Sequence, residues 1–188
     1  MLKKQLTIGI FAIQGGVEEH ANALQKCGAK VCFIRLPKDI YKLDGIVFPG
    51  GESTTIDKLA NEFDLRKKVQ EEVQRGLPIL ATCAGLILLT KWDLFDIKTK
   101  RNAYGRQLDS FETDLEIDIF PKKNFPGIFI RAPKILKVGK KVKILAKYKE
   151  SPVLVQQGNI IGATFHPELT DDLRLHQFFL NLAREYSL

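Results

Sequence analysis

Residues 78–90 read PILATCAGLILLT. The apolar run before Cys83 predicts a buried β-strand, and the small residues Ala84 and Gly85 allow a tight turn into the helix that the following leucines indicate. A strand that turns directly into a helix is the repeating unit of β-α-β folds. Cys83 stands at that junction, where the strand ends and the helix begins.

The same alternation of short apolar runs and helical patterns fills the first half of the chain. Apolar runs predict strands at residues 6–13, 30–36, 45–48 and 78–81, and helical spacing predicts helices at 17–27 and 64–75. Asp64 is expected to cap the start of the second of these helices, and Gly76 to end it. Strands that alternate with helices predict a mainly parallel sheet.

The second half changes to strands with few helices between them. Extended patterns occur in FETDLEIDIF (111–120), GIFIRAP (127–133), VKILAKY (142–148) and PVLVQQGNIIGATF (152–165), the last with a hairpin turn at Gln157-Gly158-Asn159. These strands are expected to join the sheet edge antiparallel, and an apolar stripe predicts a final helix at 171–186. The predicted fold class is α/β, a single three-layer domain over residues 1–188 with a flavodoxin-like, mainly parallel sheet and antiparallel edge strands.

Length and composition limit the class of protein. The chain has 188 residues, of which 45% are hydrophobic and 27% charged, and no apolar run approaches the roughly 20 residues that span a bilayer. The apolar stretch near the N-terminus is short and lacks a cleavage site, so we expect a soluble protein without a membrane partner. Three cysteines without metal-ligand spacing argue against a disulfide framework or a zinc site and favour the cytoplasm.

The formal net charge of +7 raises the question of nucleic-acid binding. The lysines are scattered along the chain, and neither a recognition motif nor interleaved aromatic residues accompany them. Solvated basic faces are common, and a basic protein is equally suited to an acidic partner surface. The sequence therefore predicts no nucleic-acid partner.

Ligand sites of open α/β sheets lie beyond the carboxyl ends of the strands, so Cys83 stands where a site is expected. The N-terminus of the following helix would stabilise its thiolate, which is the nucleophilic form. The alternative is that Cys83 is a small hydrophobic residue buried in the core, which is the commoner role of a lone cysteine. The position of Cys83 at the junction favours a nucleophile but does not exclude a buried core residue.

A second junction is GIVFPGGESTTI, residues 45–56. Its adjacent glycines, Gly50 and Gly51, allow backbone N–H groups to point at a developing oxyanion, as acyl transfer requires. The lysine and the spacing of a phosphate-binding P-loop are absent. A plain glycine-rich turn, with Ser53 as the N-cap of the next helix, is the remaining alternative.

The third junction is IIGATFHPELTDD, residues 160–172. If the chain stays extended there, Glu168 lies on the same side as His166 and can accept a hydrogen bond from its imidazole. Because His20 falls on the first predicted helix and His176 on the last, His166 is the best-placed general base by elimination. The alternative is a loop histidine that precedes a proline. With Cys83, this pair would make an acyl-transfer site.

These motifs resemble those of the class I glutamine amidotransferases, and most closely the glutaminase subunits of pyridoxal 5′-phosphate synthase. The class is indicated by PGG, by the cysteine of TCAGL and by HPE near the C-terminus. Longer matches indicate the narrower group and cover nearly the whole chain. They are AIQGGVEEH (12–20), PGGESTTI (49–56), TCAGLILL (82–89), NAYGRQLDSFE (102–112), FIRAP (129–133) and QQGNIIGATFHPELTDDLRLH (156–176).

The resemblance implies a role for each matching residue. It implies a catalytic triad of Cys83, His166 and Glu168. The implied glutamine contacts are Gly51, Glu52, Ser53, Arg106, Ile130 and Arg131. The implied oxyanion and interface residues are Gly50, Ala84 and Gln14. Arginines suit the carboxylate of a free amino acid, and backbone donors near Gly51 and Ala84 suit a tetrahedral oxyanion.

The resemblance further implies hydrolysis of L-glutamine to L-glutamate and ammonia through a thioester, with no metal or organic cofactor. The ammonia would pass to a separate TIM-barrel subunit that builds pyridoxal 5′-phosphate. Alternatives remain at this point: a cysteine hydrolase acting on another amide, a non-catalytic binding subunit, and a glutaminase serving another synthase, such as imidazole glycerol phosphate synthase. The amide that is hydrolysed and the partner that co-purifies distinguish among them.

Overall fold

The computed structural model describes residues 4–101, 110–117, 119–120 and 124–187. The helices are α1 (Val17–Lys26), α2 (Ser53–Glu62), α3 (Leu65–Gln74), α4 (Ala84–Lys91) and α5 (Arg174–Tyr186). The strands are β1 (Thr7–Phe11), β2 (Lys30–Ile34), β3 (Gly45–Phe48), β4 (Ile79–Thr82), β5 (Ile97–Lys100), β6 (Ser110–Leu115), β7 (Phe125–Ile130), β8 (Lys134–Val138), β9 (Lys143–Tyr148), β10 (Ser151–Gln157) and β11 (Ile160–Ala163).

A seven-stranded sheet in the order β2-β1-β3-β4-β11-β10-β9 forms the centre of the molecule. The first five of these strands run parallel, and β10 and β9 continue the sheet antiparallel at one edge. The order of the parallel strands is that of flavodoxin-like folds. The predicted fold class, a three-layer α/β domain with a mainly parallel sheet and antiparallel edge strands, is confirmed.

Alternate residues of the central strands face opposite sides of the sheet and form two cores. Val47 and Leu80 pack on the side covered by α1 and α5. Their neighbours Phe48 and Ile79 pack on the other side, against α2, α3 and α4. Because both faces are covered, the central strands are apolar along their whole length, which explains the continuous hydrophobic runs in the sequence.

Several local predictions need correction. Asp64 occupies the N-cap position of α3, but it has a left-handed backbone (φ 57°) and its side chain makes no capping hydrogen bond. The last helix begins at Arg174 and not at residue 171, because the Asp172 carboxylate accepts a hydrogen bond from the Arg174 N–H at 3.1 Å just before it. The predicted end of α3 at Gly76 and the hairpin between β10 and β11 are confirmed.

The second-half strands do not all join the sheet edge as expected. β11 lies inside the sheet, parallel to β4, while β6 pairs with β7 in a separate two-stranded sheet. β5 and β8, which the sequence did not predict, form another. Each of these two-stranded ribbons has apolar residues on one face only, and that face covers a core of the main sheet. The sequence of such a strand alternates between apolar and polar residues, as the sequence of an edge strand does. No helix in the described part of the chain is long and apolar enough to cross a membrane.

Candidate active site

Cys83 lies in a sharp turn between β4 and α4. Its backbone φ of 47° is in a region that residues other than glycine rarely adopt, as in the nucleophile elbows of other α/β enzymes. Gly85 makes the turn possible, because a Cβ atom there would overlap the carbonyl oxygen of Phe48 on β3. Only 8% of Cys83 is exposed. Burial alone would suit a core cysteine, so its neighbours decide its role.

Adjacent strands bring His166 to Cys83. The backbone N–H of Cys83 donates to the carbonyl of Ala163 at the end of β11, at 2.9 Å, and His166 follows three residues later. The backbone N–H of His166 donates to Ile128 of β7 at 2.8 Å. The imidazole and the Cys83 side chain both lie against Gly50, which places the predicted nucleophile and base in one site, and the Cys83 thiol donates to the carbonyl of Ile130 at 3.9 Å.

Glu168 contacts the far side of the same imidazole. Its Oε1 lies 2.8 Å from Nδ1 of His166. The predicted contact is present, but the expectation of an extended chain is wrong, since Pro167–Leu169 form a single 3₁₀ turn. Proline is favoured at the first position of such a turn, and the turn brings the carboxylate back to the ring.

The electrostatics of the site favour a protonated His166. Burial by itself would lower the pKa of His166, but its contacts with Cys83 and Glu168 outweigh that effect and raise the pKa to about 10. Burial would likewise raise the pKa of Glu168, but His20 and His166 hold it below its usual range. The imidazole is therefore held between two acceptor groups, as a proton-transferring histidine requires.

The glycine loop after β3 forms another wall of the site. A Cβ atom on Gly50 would lie 3.3 Å from Cβ of Cys83, so the glycine faces the nucleophile directly. Its carbonyl accepts a hydrogen bond from the N–H of Gly16 at 3.2 Å. The N–H of Glu52 donates to Oε1 of Gln14 at 3.0 Å. The loop that carries Gly50 is therefore held by the residues that follow β1.

Ser53 is not the N-cap of α2, as one alternative had it. Glu52 is the N-cap residue, and its carboxylate accepts hydrogen bonds from the N–H groups of Thr54 and Thr55 at 3.3 Å and 2.8 Å. The longer side chain of glutamate reaches the free N–H groups of the first turn. Ser53 is the first residue of the helix and is buried.

An open cavity of about 480 Å³ joins these residues. Ten of the predicted site residues line it, namely Gly50, Gly51, Glu52, Ser53, Cys83, Ala84, Ile130, Arg131, His166 and Glu168. Gln14 is not among the residues that line it, but its side chain accepts a hydrogen bond from the N–H of Glu52, which does line it. Arg106 falls outside the described residues, so its predicted role stays a prediction. The cavity is large enough for a small ligand.

Several residues near the site were not predicted from the sequence, and Arg101, His20 and His176 are among them. Arg101 lines the cavity and donates to the hydroxyl of Thr54 at 2.9 Å. His20 and His176 are completely buried behind Glu168. The available signal for these two was a histidine on the apolar face of an amphipathic helix, which is an unusual place for a polar ring.

Comparisons with known proteins agree with this arrangement. Residues 10–185 match the model of the SNO glutamine amidotransferase family. The pyridoxal 5′-phosphate synthase subunit PdxT of Thermotoga petrophila is 49% identical, and the alignment covers 95% of this chain and all of the relative. PdxT of Thermotoga maritima is 48% identical over the same shares.

Two solved structures extend the comparison. A crystal structure of a glutamine amidotransferase matches with a TM-score of 0.89 and 41% identity, over 94% of this chain and 98% of the other. PurLQS from Thermotoga maritima matches with a TM-score of 0.79 and 17% identity, over 95% of this chain and 99% of the other. At that identity the second match supports the fold alone.

The fold is that of the class I glutamine amidotransferases, with the cavity at the carboxyl ends of the parallel strands. Within that class, the chain belongs to the SNO glutamine amidotransferase family. The sequence-based assignment to the glutaminase subunits of pyridoxal 5′-phosphate synthase is confirmed by the curated relatives.

Proposed function

We propose that Cys83, His166 and Glu168 are the catalytic triad of this glutaminase. The observation that supports this best is the position of the His166 ring, which lies with the Cys83 side chain against Gly50 on one side and 2.8 Å from Glu168 on the other. Family membership assigns glutamine hydrolysis to the chain, and the relatives assign it to pyridoxal 5′-phosphate synthesis. The proposal adds which residues carry the reaction.

The first half of the reaction forms a thioester. The proton of the Cys83 thiol lies on His166 before the reaction starts, and the sulfur attacks the side-chain amide carbon of L-glutamine to form a C–S bond. The tetrahedral intermediate then collapses, the C–N bond breaks, and His166 gives its proton to the departing ammonia. Glu168 holds the imidazole in the orientation and tautomer that both transfers need.

The second half hydrolyses the thioester. Water, deprotonated by His166, attacks the acyl carbon, the C–S bond breaks and L-glutamate leaves. The sulfur leaves as the thiolate beside His166, which keeps the proton taken from water, so the enzyme returns to its starting state. Every step uses side chains of this chain.

Backbone N–H groups around Gly50, Gly51 and Ala84 are the proposed donors to the oxyanion. Ala84 begins α4, where the N–H groups have no partners within the helix. The glycine loop lies opposite, against Cys83 and His166. Donors fixed in this way stabilise the charge that develops on the carbonyl oxygen.

The remaining cavity residues are proposed to hold the amino acid. Arg131 is exposed at the cavity wall and suits the α-carboxylate of glutamine, and Arg106 is proposed for the same task. Ile130 and Ser53 complete the wall. Glu52 lines the same wall, where its carboxylate stays half exposed while it accepts from Thr54 and Thr55, and it is proposed to contact the amino acid there.

The partner proposed for this chain is a separate synthase subunit with a TIM-barrel fold. It would receive the ammonia and build pyridoxal 5′-phosphate from a pentose phosphate and a triose phosphate. The relatives are themselves named as subunits of that synthase. Residues 1–188 are proposed to act as one glutaminase domain in the cytoplasm, with Cys27, Cys32 and Cys83 as free thiols.

Docking of the partner is the proposed control point for the glycine loop. Gly50 and Glu52 are bonded to Gly16 and Gln14, so movement of residues 14–16 would move the oxyanion donors. Glutaminase turnover with and without the synthase subunit tests this. A higher rate in the complex is expected, and equal rates would remove the activation claim.

The triad assignment is tested by substituting the nucleophile. Cys83→Ala should lower glutaminase turnover in the complex by at least about 1,000-fold, because neither of the other two cysteines, Cys27 and Cys32, lines the cavity. Cys27→Ala, which removes a half-buried thiol away from the cavity, serves as the matched control. Turnover retained by Cys83→Ala would overturn the assignment.

A further inference from the structure

A chain of buried polar side chains continues behind Glu168. His20 of α1 is completely buried, and its Nε2 lies 3.3 Å from Oε2 of Glu168 and 3.1 Å from the hydroxyl of Thr82. Its Nδ1 lies 3.0 Å from Nε2 of His176 on α5, which is also fully buried. His20 therefore contacts the carboxylate of the proposed triad and the residue that precedes Cys83.

The two oxygens of Glu168 are in different situations. Oε1 bonds to His166, whereas Oε2 is buried without a well-aligned hydrogen bond among the described residues. The nearest group that can donate to it is the ring of His20. A buried carboxylate oxygen without any donor is costly, so a proton on Nε2 of His20 is favoured.

One tautomer of each ring satisfies these contacts. If Nε2 of His20 carries the proton, its N–H points between Glu168 and Thr82, and its Nδ1 is free to accept. Nε2 of His176 then donates to that Nδ1. This leaves Nδ1 of His176 as an unprotonated lone pair, which matches its lack of a hydrogen-bond partner in the part of the chain that the structure describes. An orphaned lone pair costs less than an orphaned N–H.

Both rings are neutral in this arrangement. Burial lowers the pKa of His20, against the opposing charge of Glu168, and lowers that of His176 to about 3. The charged or titratable groups that act on His20 are Glu168, His166 and Glu19, together with His176 in ring contact. In this arrangement His20 presents the N–H of its Nε2 to Glu168.

We propose that His20 is a positioning residue of the glutaminase site, which anchors the second oxygen of Glu168 and fixes it relative to the Cys83 elbow through Thr82. The proposal rests on the triad assigned above. With Oε2 held by His20, Oε1 is directed at Nδ1 of His166. Without His20 the carboxylate can rotate, and it loses a donor that favours its ionised form.

Substitutions at position 20 separate hydrogen bonding from packing. His20→Gln retains an amide N–H near the place of Nε2, whereas His20→Asn places its amide near Nδ1 and cannot reach Glu168. His20→Leu fills the space without any donor. Leu24→Val, one turn further along α1 in the same core, is the matched control for general weakening of the helix.

Each variant is assayed in the complex with the synthase subunit for kcat, KM for glutamine and the pH dependence of Cys83 alkylation by a glutamine-analogue electrophile. His20→Leu and His20→Asn should lower kcat by about 10-fold to 100-fold, with KM changed less than about 3-fold, as expected when an orienting partner is lost. The acid limb of the alkylation profile should move to higher pH, because Glu168 takes up a proton more readily. His20→Gln should recover most of the wild-type kcat and of the wild-type alkylation profile. Leu24→Val should change neither kcat nor the profile.

The opposite results would overturn the proposal. These are a His20→Leu variant with unchanged kcat and pH profile, or a His20→Gln variant as impaired as His20→Asn. If His20→Leu does not fold, the comparison of His20→Gln with His20→Asn still tests the proposal. An active Cys83→Ala variant would instead show that the triad assignment itself has failed, so the two failures are distinguishable.

Discussion

Gly50 packs against the imidazole of His166 so closely that a Cβ atom at position 50 would lie 2.5 Å from Cε1 of the ring. Gly50→Ala must therefore displace the proposed base or the glycine loop. Because a misplacement of about 1 Å can cost about 100-fold in rate, we expect kcat of the complex to fall by about that factor or more. Steady-state glutaminase assays measure it.

Gly28→Ala is the control for that substitution. Gly28 also needs its glycine conformation, with φ of 84°, but a Cβ atom there would meet nothing within 4 Å. It should lower stability and leave kcat unchanged. A Gly50→Ala enzyme with normal turnover would contradict the close contact between the loop and His166.

Gln14 determines the position of the glycine loop through its side chain. Its Oε1 accepts the Glu52 N–H at 3.0 Å, and Gln14→Met keeps the length of the side chain while it removes the acceptor. We expect a decrease of about 3-fold to 10-fold in kcat/KM for glutamine, the scale of one lost hydrogen bond. Gln5→Met, before the opposite end of β1, should have no effect, and an equally impaired Gln5→Met would contradict the specific role of Gln14.

Arg131 is expected to bind the glutamine carboxylate. Arg131→Met should raise KM by about 10-fold or more with a smaller change in kcat, because the lost ion pair holds the substrate before and during the reaction. Arg75→Met is the control, since Arg75 pairs with Glu72 on α3 outside the cavity. A KM unchanged by Arg131→Met would assign carboxylate binding to another residue.

His176 makes the fold sensitive to acid. Its pKa is about 3 in the folded protein, because of burial and the neighbouring His20, and near 6.5 in the unfolded chain. As pH falls below 6.5, the unfolded chain gains the proton first, so stability is lost between pH 6.5 and about 3. His166 affects stability with the opposite pH dependence. Because its pKa is raised in the folded protein, it stabilises the fold below pH 6.5, and that stabilisation is lost as pH rises through about 10.

Urea unfolding at pH 6.5 and pH 5.0 measures this effect. His176→Gln keeps a donor for His20 without the titration. Between these two pH values the wild-type protein should lose about 1.5 kcal/mol more than the variant does. Equal losses in the two proteins would contradict a neutral, buried His176.

The sequence predicts much of the fold because the central strands are buried on both faces, and their continuous apolar runs have clear ends. It also predicts the Cys83 turn, since the small residues after it allow α4 to approach β3 as closely as the turn requires. The contact between His166 and Glu168 was predicted from a backbone conformation that is wrong. The chain turns at Pro167 and does not stay extended, but the result is the same contact with Glu168.

The network of His20 could not be predicted in this way. It joins α1, β4 and α5, which are distant in sequence, and depends on how the helices pack on the sheet. The ribbon of β5 and β8 was missed for a similar reason. Its lysines obscure the pattern, and Ile97 and Ile135 have a buried face only once the main sheet exists.

The measurement that tests the central claim most directly is mass spectrometry of the intact complex after treatment with a glutamine-analogue electrophile. The chain offers two internal controls, Cys27 and Cys32, whose pKa values are raised by burial. We predict one adduct per chain, confined to Cys83 and prevented by excess L-glutamine. An unmodified Cys83, or labelling that glutamine does not prevent, would contradict the assignment of Cys83 as the nucleophile.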